Sequence, residues 1–172
     1  KMKQSVLRVA DQGIKTIDII MTSLKNNVVA EDKKLYNIGY LIEQAIDHCH
    51  ATEEQRRKIK VDIVDDFEFF SSMQCMKHVM FNLFNNAYKY GGNQVSIGIT
   101  AKDNELYFRD NGKGISPEAL PFIFDKFFTG SSSGTGIGLA FCKMVMEDLG
   151  GSITCNSELG KYTEFVLVFP KL

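Results

Sequence analysis

Apolar and polar residues recur along this chain in two rhythms, and the changes of rhythm mark its elements. Over residues 5–24, Val6, Val9, Gly13, Ile17, Ile20 and Leu24 return every three or four positions with Lys, Asp and Gln between them, which predicts one long amphipathic helix. Its apolar strip is narrow. Such a strip suits packing along another helix in a hairpin or bundle, and packing against its own domain fits the periodicity equally well. Asn26, Asn27 and the polar run Glu31-Asp32-Lys33-Lys34 break the pattern, so a short linker is expected there, dividing a unit at 1–28 from a domain at 33–172.

In the second unit, Leu35-Tyr36 can start an edge strand, and Asn37 can cap a helix with Leu41, Ile42, Ala45, Ile46 and Cys49 on its apolar face. Over 58–64, Ile59, Val61 and Ile63 alternate with Lys60 and Asp62, the period-two pattern of a half-buried strand. A helix is predicted over 72–90, then two strands over 94–100 and 105–110, joined by a tight turn at Lys102-Asp103-Asn104. A loop-rich stretch begins at Asn111. A helix over about 136–149 ends at Gly150-Gly151, and strands over 152–156 and 162–169 close the chain. Helices and antiparallel strand pairs in this order predict an α+β, two-layer sandwich, a sheet covered on one face by helices.

Composition narrows the function classes. The chain has 172 residues, enough for one well-buried domain with a small appendage. Its 20 Lys+Arg against 21 Asp+Glu leave no polybasic surface, so nucleic acid is not an expected partner. No run of about 18 apolar residues and no signal-peptide pattern occurs, so no membrane contact is expected of this piece. The cysteines, Cys49, Cys75, Cys142 and Cys155, are scattered through apolar segments without a C-x-x-C pair, which predicts free buried thiols in place of disulfides or a zinc site.

Three segments carry more polar residues and glycines than a structural element needs. In Asn82-Leu83-Phe84-Asn85-Asn86-Ala87-Tyr88-Lys89-Tyr90, the spacing puts Asn82, Asn86 and Lys89 on one helix face beside Val79, Leu83 and Ala87. An amide oxygen suits Mg²⁺ and an ammonium suits phosphate; a solvated helix face would look similar. Asp110-Asn111-Gly112-Lys113-Gly114 puts a carboxylate at a strand end before permissive backbone, able to accept a hydrogen bond from an amino group such as that of adenine, although Asp-Asn-Gly is also a plain turn sequence. Gly134-Thr135-Gly136-Ile137-Gly138-Leu139 leads into a helix, whose free N–H groups and positive terminus suit phosphate, without the spacing of a P-loop.

In this order, the three segments resemble the N, G1 and G2 boxes of the GHKL (Bergerat) ATP-binding fold, shared by histidine kinases, type II topoisomerases, mismatch-repair ATPases and a heat-shock chaperone family. Phe122-Ile123-Phe124-Asp125-Lys126-Phe127-Phe128 looks like the F box of the histidine kinases, and residues 160–170 look like the closing strand, with Thr163 at the position that helps hold adenine. The resemblance covers roughly residues 35–170. It implies a mixed, largely antiparallel sheet with helices on one face, and ATP and Mg²⁺ as cofactors. Asn86 is similar to the Mg²⁺ ligand, Lys89 to the phosphate contact, Tyr90 to the ring flanking the base and Asp110 to the adenine-reading carboxylate. Gly112, Gly114 and Ile115 fall beside the base. Gly134, Gly136 and Gly138, with Thr135, Ile137 and Leu139, match the phosphate segment, and Lys126 stands where relatives often carry an arginine. A lid is implied over about 116–133, short and rich in serine here.

One position separates the chemistries within this fold. ATPases and serine kinases carry a glutamate general base four residues before the metal-binding asparagine, and this chain has Asn82 there. That favours phosphoryl transfer to a strong nucleophile such as a histidine nitrogen over hydrolysis. The resemblance therefore implies the catalytic core of a bacterial two-component sensor histidine kinase, with residues 5–25 as the second helix of the dimerisation and phosphotransfer hairpin. The acceptor histidine is expected upstream of Lys1. His48 and His50 lie at a helix end, and His78, four residues before Asn82, is given no catalytic role. The implied partners are a response-regulator receiver domain, the hairpin of the same or a partner subunit, and a second copy in a homodimer. The implied placement is cytoplasmic, including as the cytosolic part of an inner-membrane receptor. The alternatives are a nucleotide-binding regulatory module without catalysis, which a short lid would suit, or a GHKL ATPase or serine kinase, which Asn82 disfavours.

Overall fold

The computed structural model describes residues 33–92, 94–129 and 135–172; the helix expected over 5–24, the serine run at 131–133 and Gly134 lie outside them. The elements are β1 (Lys34–Asn37), α1 (Ile38–His48), α2 (Glu53–Arg56), β2 (Ile59–Ile63), β3 (Glu68–Ser71), α3 (Met73–Gly91), β4 (Ile97–Lys102), β5 (Glu105–Asp110), a 3₁₀ turn (Leu120–Phe122), α4 (Gly138–Asp148), β6 (Ser152–Glu158) and β7 (Tyr162–Val168). A five-stranded sheet runs β2-β4-β5-β7-β6, and β1 pairs with β3 in a separate two-stranded ribbon. Only β2 and β4 are parallel within the larger sheet.

Alternation along the central strands builds the two layers. Ile97, Ile99 and Ala101 of β4, Leu106 and Phe108 of β5, and Phe165 and Leu167 of β7 are buried on one face. Against them pack the stripes of α1 (Ile38, Leu41, Ile42, Ala45), α3 (Met76, Val79, Met80, Leu83, Phe84, Ala87) and α4 (Cys142, Val145, Met146). Phe84 meets Phe108 edge-on at 5.0 Å, joining the central helix to the central strand. Burying each of these large side chains stabilises the fold by roughly 1.5–3 kcal/mol relative to exposure. The expected α+β sandwich, mixed and largely antiparallel, is the observed fold. The β4–β5 hairpin turns through Asp103 and Asn104 at φ 55° and 62°, the left-handed geometry of a two-residue turn.

Three local expectations are corrected, and two elements were not foreseen. Asn37 precedes α1, but its side chain caps nothing; the Asp66 carboxylate, from the segment before β3, accepts the Gly39 N–H at 2.8 Å. Asn37 is held in β1 opposite Glu68, so the capping charge comes from elsewhere. β2 forms, but its apolar side is not half-buried: Val61 and Ile63 lie in register with Ile99 and Ala101, yet are 43% and 41% exposed, because β2 is the sheet's edge and the helical layer leaves it partly uncovered. β1 pairs with β3, a strand not anticipated from the run Phe67-Glu68-Phe69-Phe70, where adjacent phenylalanines blur the alternation. The helix expected from residue 136 starts at Gly138. The short α2 also went unforeseen, although Thr52 and Gln55 form a complete capping box around it. Among the described residues, no helix is long and apolar enough to cross a membrane.

Candidate functional site

α3 supplies the first wall of a cavity. Its buried stripe faces the sheet, and Ser72 accepts the Cys75 N–H at 3.4 Å to start the helix. The flank beside that stripe carries Asn82, Asn86, Lys89 and Tyr90, which all line a cavity of about 530 Å³, the size of a small-molecule site. Asn82 donates from Nδ2 to the His78 carbonyl at 3.0 Å, and its Oδ1 faces the start of α4, where a Cβ on Gly138 would lie only 2.8 Å away. The absence of a side chain at Gly138 is what lets the helices meet over Asn82. Among the described residues, the Asn86 amide makes no hydrogen bond, so its carbonyl oxygen remains free on the wall.

The turn after β5, with Gly114 and Ile115, forms the floor beside Thr163 of β7, and the end of β5 lies behind it. Asp110 stands opposite Thr163 of β7, and the two are 5% and 8% exposed. Burial pushes the Asp110 carboxyl above its usual pKa, opposed by the Gly112 N–H, which donates to Oδ1 at 2.8 Å. Oδ2 accepts no hydrogen bond from a described residue. A Cβ on Gly112 would sit 2.7 Å from Oδ1. Gly114, at φ +68°, passes so near the Glu158 carbonyl that no other residue fits. The Lys113 carbonyl accepts the Gly160 N–H at 2.6 Å and Ser157 Oγ accepts the Ile115 N–H at 2.8 Å, which pins this turn to the β6–β7 hairpin.

The third wall comes from the segments either side of residues 130–134. Ile123 is buried and Phe128 faces the cavity. The Gly136 carbonyl accepts the Phe127 N–H at 2.9 Å, and Gly136, at φ +67°, leaves no room for a Cβ beside the Phe127 backbone. Ile137 caps α4 through its backbone alone, and no acidic residue occupies the first turn, so the positive helix terminus is uncompensated there.

The cavity brings together Asn82, Asn86, Lys89, Tyr90, Gly114, Ile115, Thr135, Gly136, Gly138, Leu139 and Thr163 of the set read from the sequence. Asp110 and Gly112 lie behind its wall, Ile137 sits in the α4 cap, and Lys126 is exposed after the 3₁₀ turn, outside the wall. Gly134 is outside the described residues. Ser116 and Ala119 on the wall fall in the stretch read as the lid, whereas Lys113, Leu159 and Phe165 were not anticipated there. Phe165 was legible, since it lies two residues from Thr163 on one strand and so shares its face; Leu159, in the β6–β7 hairpin, carried no signal. None of the three histidines lines the cavity: His48 Nδ1 sits 2.7 Å from the Gln44 carbonyl, and His50 and His78 lie edge-on to Phe81 and Phe141.

All four cysteines are free thiols, with Cys155 only half-buried. Burial holds Cys142 and Cys155 protonated, each pushed up to about 12. Among the described residues, no cluster of His, Cys, Asp or Glu could hold a metal by itself. The wall's polar groups are amides, hydroxyls, backbone N–H groups and the ammoniums of Lys89 and Lys113. That donor set fits a polyanion, with a hard cation shared between an amide oxygen and the anion's own oxygens.

Residues 73–172 match the family described as histidine kinase-, DNA gyrase B-, and HSP90-like ATPase. The chain is 36% identical over 166 residues to the CAI-1 autoinducer sensor kinase/phosphatase CqsS of Vibrio cholerae, covering 92% of this chain and 24% of that protein. It is 44% identical over 109 residues to the sensor protein SrrB of Staphylococcus aureus, covering 58% of this chain and 19% of that protein. It thus spans less than a quarter of the length of either relative. Among solved structures, the catalytic domain of histidine kinase ThkA superposes with a TM-score of 0.65 at 25% identity, covering 81% of this chain and 99% of that one. The chain therefore belongs to the histidine kinase-, DNA gyrase B- and HSP90-like ATPase family, which implies ATP binding.

Proposed function

We propose that this chain is the ATP-binding catalytic core of a sensor histidine kinase, passing the γ-phosphate of ATP to a histidine nitrogen for relay to a response-regulator aspartate. Residues 33–172 are the ATP-binding domain. Residues 1–28 are the second helix of a dimerisation and phosphotransfer hairpin, through which the full protein is a homodimer. The placement is cytoplasmic, as in the signalling half of a sensor protein.

In this reading the adenine amino group donates to Asp110 Oδ2, the oxygen that Gly112 leaves free, while Thr163 supports the same edge of the base. Tyr90, Ile115 and Leu139 flank the ring, and Lys89 with the first turn of α4 and Thr135, Gly136 and Gly138 receives the phosphates. Mg²⁺, held by the Asn86 carbonyl oxygen with phosphate oxygens of the nucleotide, offsets charge on the transferring group. Lys126, exposed outside the wall, is a further candidate for a phosphate contact.

The observation that carries the choice of chemistry is Asn82. It lies on the cavity wall one helical turn before Asn86, and its side chain, an amide and so non-basic, cannot take a proton from water as a carboxylate would. A nucleophile that needs no such base, an imidazole nitrogen, suits this wall. The test is to incubate the chain and γ-labelled ATP with full-length protein whose own ATP site is inactivated by Asp110→Asn. Acid-labile, base-stable label on the full-length protein is expected. Proven ATP binding without transfer would leave a nucleotide-binding regulatory module instead, and steady ATP turnover by the chain alone would restore the ATPase reading.

A further inference from the structure

Tyr90 presents its ring to two ammonium groups that come from separate elements. Lys89 Nζ, on α3, is 5.3 Å from the ring centroid, and Lys113 Nζ, in the turn after β5, is 4.6 Å from it. All three residues line the cavity. Among the described residues neither ammonium pairs with a carboxylate, so two like charges face one aromatic ring on the cavity wall. A polyanion bound within reach of both would be attracted by both charges. The Lys113 backbone is fixed on both sides, by its carbonyl's bond to the Gly160 N–H at 2.6 Å and by the confined Gly114, whereas its side chain is exposed.

We propose that Lys113 is a specificity-determining residue, a second cation that shares the Tyr90 ring with Lys89 in the free site and turns onto the phosphates of a bound nucleotide, so that the site selects nucleoside polyphosphates over nucleosides. This rests on the ATP-site reading above and adds a residue that the resemblance does not assign. Its position between Gly112 and Gly114 gives it reach without a fixed rotamer.

The experiment is titration calorimetry of the 172-residue chain with Mg·ATP and, separately, with adenosine, at low and high salt. Because Lys113 is exposed, Lys113→Met leaves the fold intact. It should weaken Mg·ATP binding about five- to tenfold, change adenosine binding by less than about twofold, and flatten the salt dependence for ATP. Lys113→Arg, which keeps the charge, should restore the ATP affinity. Unchanged ATP affinity in Lys113→Met, or equal losses for ATP and adenosine, overturns the proposal while leaving the ATP site standing. No ATP binding by the unsubstituted chain overturns the ATP-site reading and this proposal with it.

Discussion

Asp110 sits where burial disfavours its charge. Because burial raises its pKa in the folded chain, the neutral form is the one the fold favours. The associated stability is fully present below the ordinary carboxylate range of the unfolded chain and is lost as pH rises through the higher, folded value. Asp110→Asn is neutral throughout and can still accept the Gly112 N–H, so the nucleotide-free variant should melt higher than the parent at pH 7 and lose less stability between acid and neutral pH. A lower melting temperature at pH 7 would contradict this. The same variant should lose ATP affinity by about tenfold or more, since an amide cannot answer the base amino group as a carboxylate does. Asn86→Ala should reduce affinity for ATP more with Mg²⁺ than without it, and an equal loss in both conditions would remove its metal role. These residue types were legible through the resemblance, which rests on their order along the chain. That Asp110 stands opposite Thr163, more than fifty positions later, was not legible from either segment alone.

At the scale of elements, α3 was the easiest to read and the edges the hardest. A stripe recurring at 3.6 residues survives any context, so the buried face of α3 and the cavity flank beside it could be separated by counting. The cap of α1 could not. Asn37 is the usual kind of capping residue, but strand pairing with β3 commits it, and Asp66 supplies the charge across the turn. Asp66→Ala should therefore destabilise the chain by about 0.5–2 kcal/mol in urea unfolding, and Asn37→Ala by clearly less. The reverse order would return the cap to Asn37. β2 fails in the same way as a reading of its own sequence: Ile59, Val61 and Ile63 alternate as a half-buried strand should, and only the sheet order places them at an edge that the helices leave partly bare.

Across the whole molecule, burial decides which reactive groups stay silent. Cys142 lies fully buried beneath α3, its thiol 3.7 Å from the Val79 carbonyl, and Cys155 faces the core from β6. With both held protonated, pushed up to about 12, iodoacetamide at pH 8 should leave them unmodified in the folded chain and label them once urea unfolds it. Labelling at equal rates in both states would show that burial does not protect them. By itself the sequence determined the layer architecture, the two central helices, the turn at Asp103-Asn104 and the ordered boxes that mark an ATP-binding fold, because periodicity and local backbone chemistry are written in neighbouring residues. Only the tertiary structure decided that β1 leaves the main sheet for β3, that Asp66 caps α1, that Asp110 sits behind the cavity wall with one oxygen spoken for, and that Lys113 meets Lys89 over Tyr90. Each of those depends on the distance between groups far apart in the chain, a quantity set by the packing of the whole core.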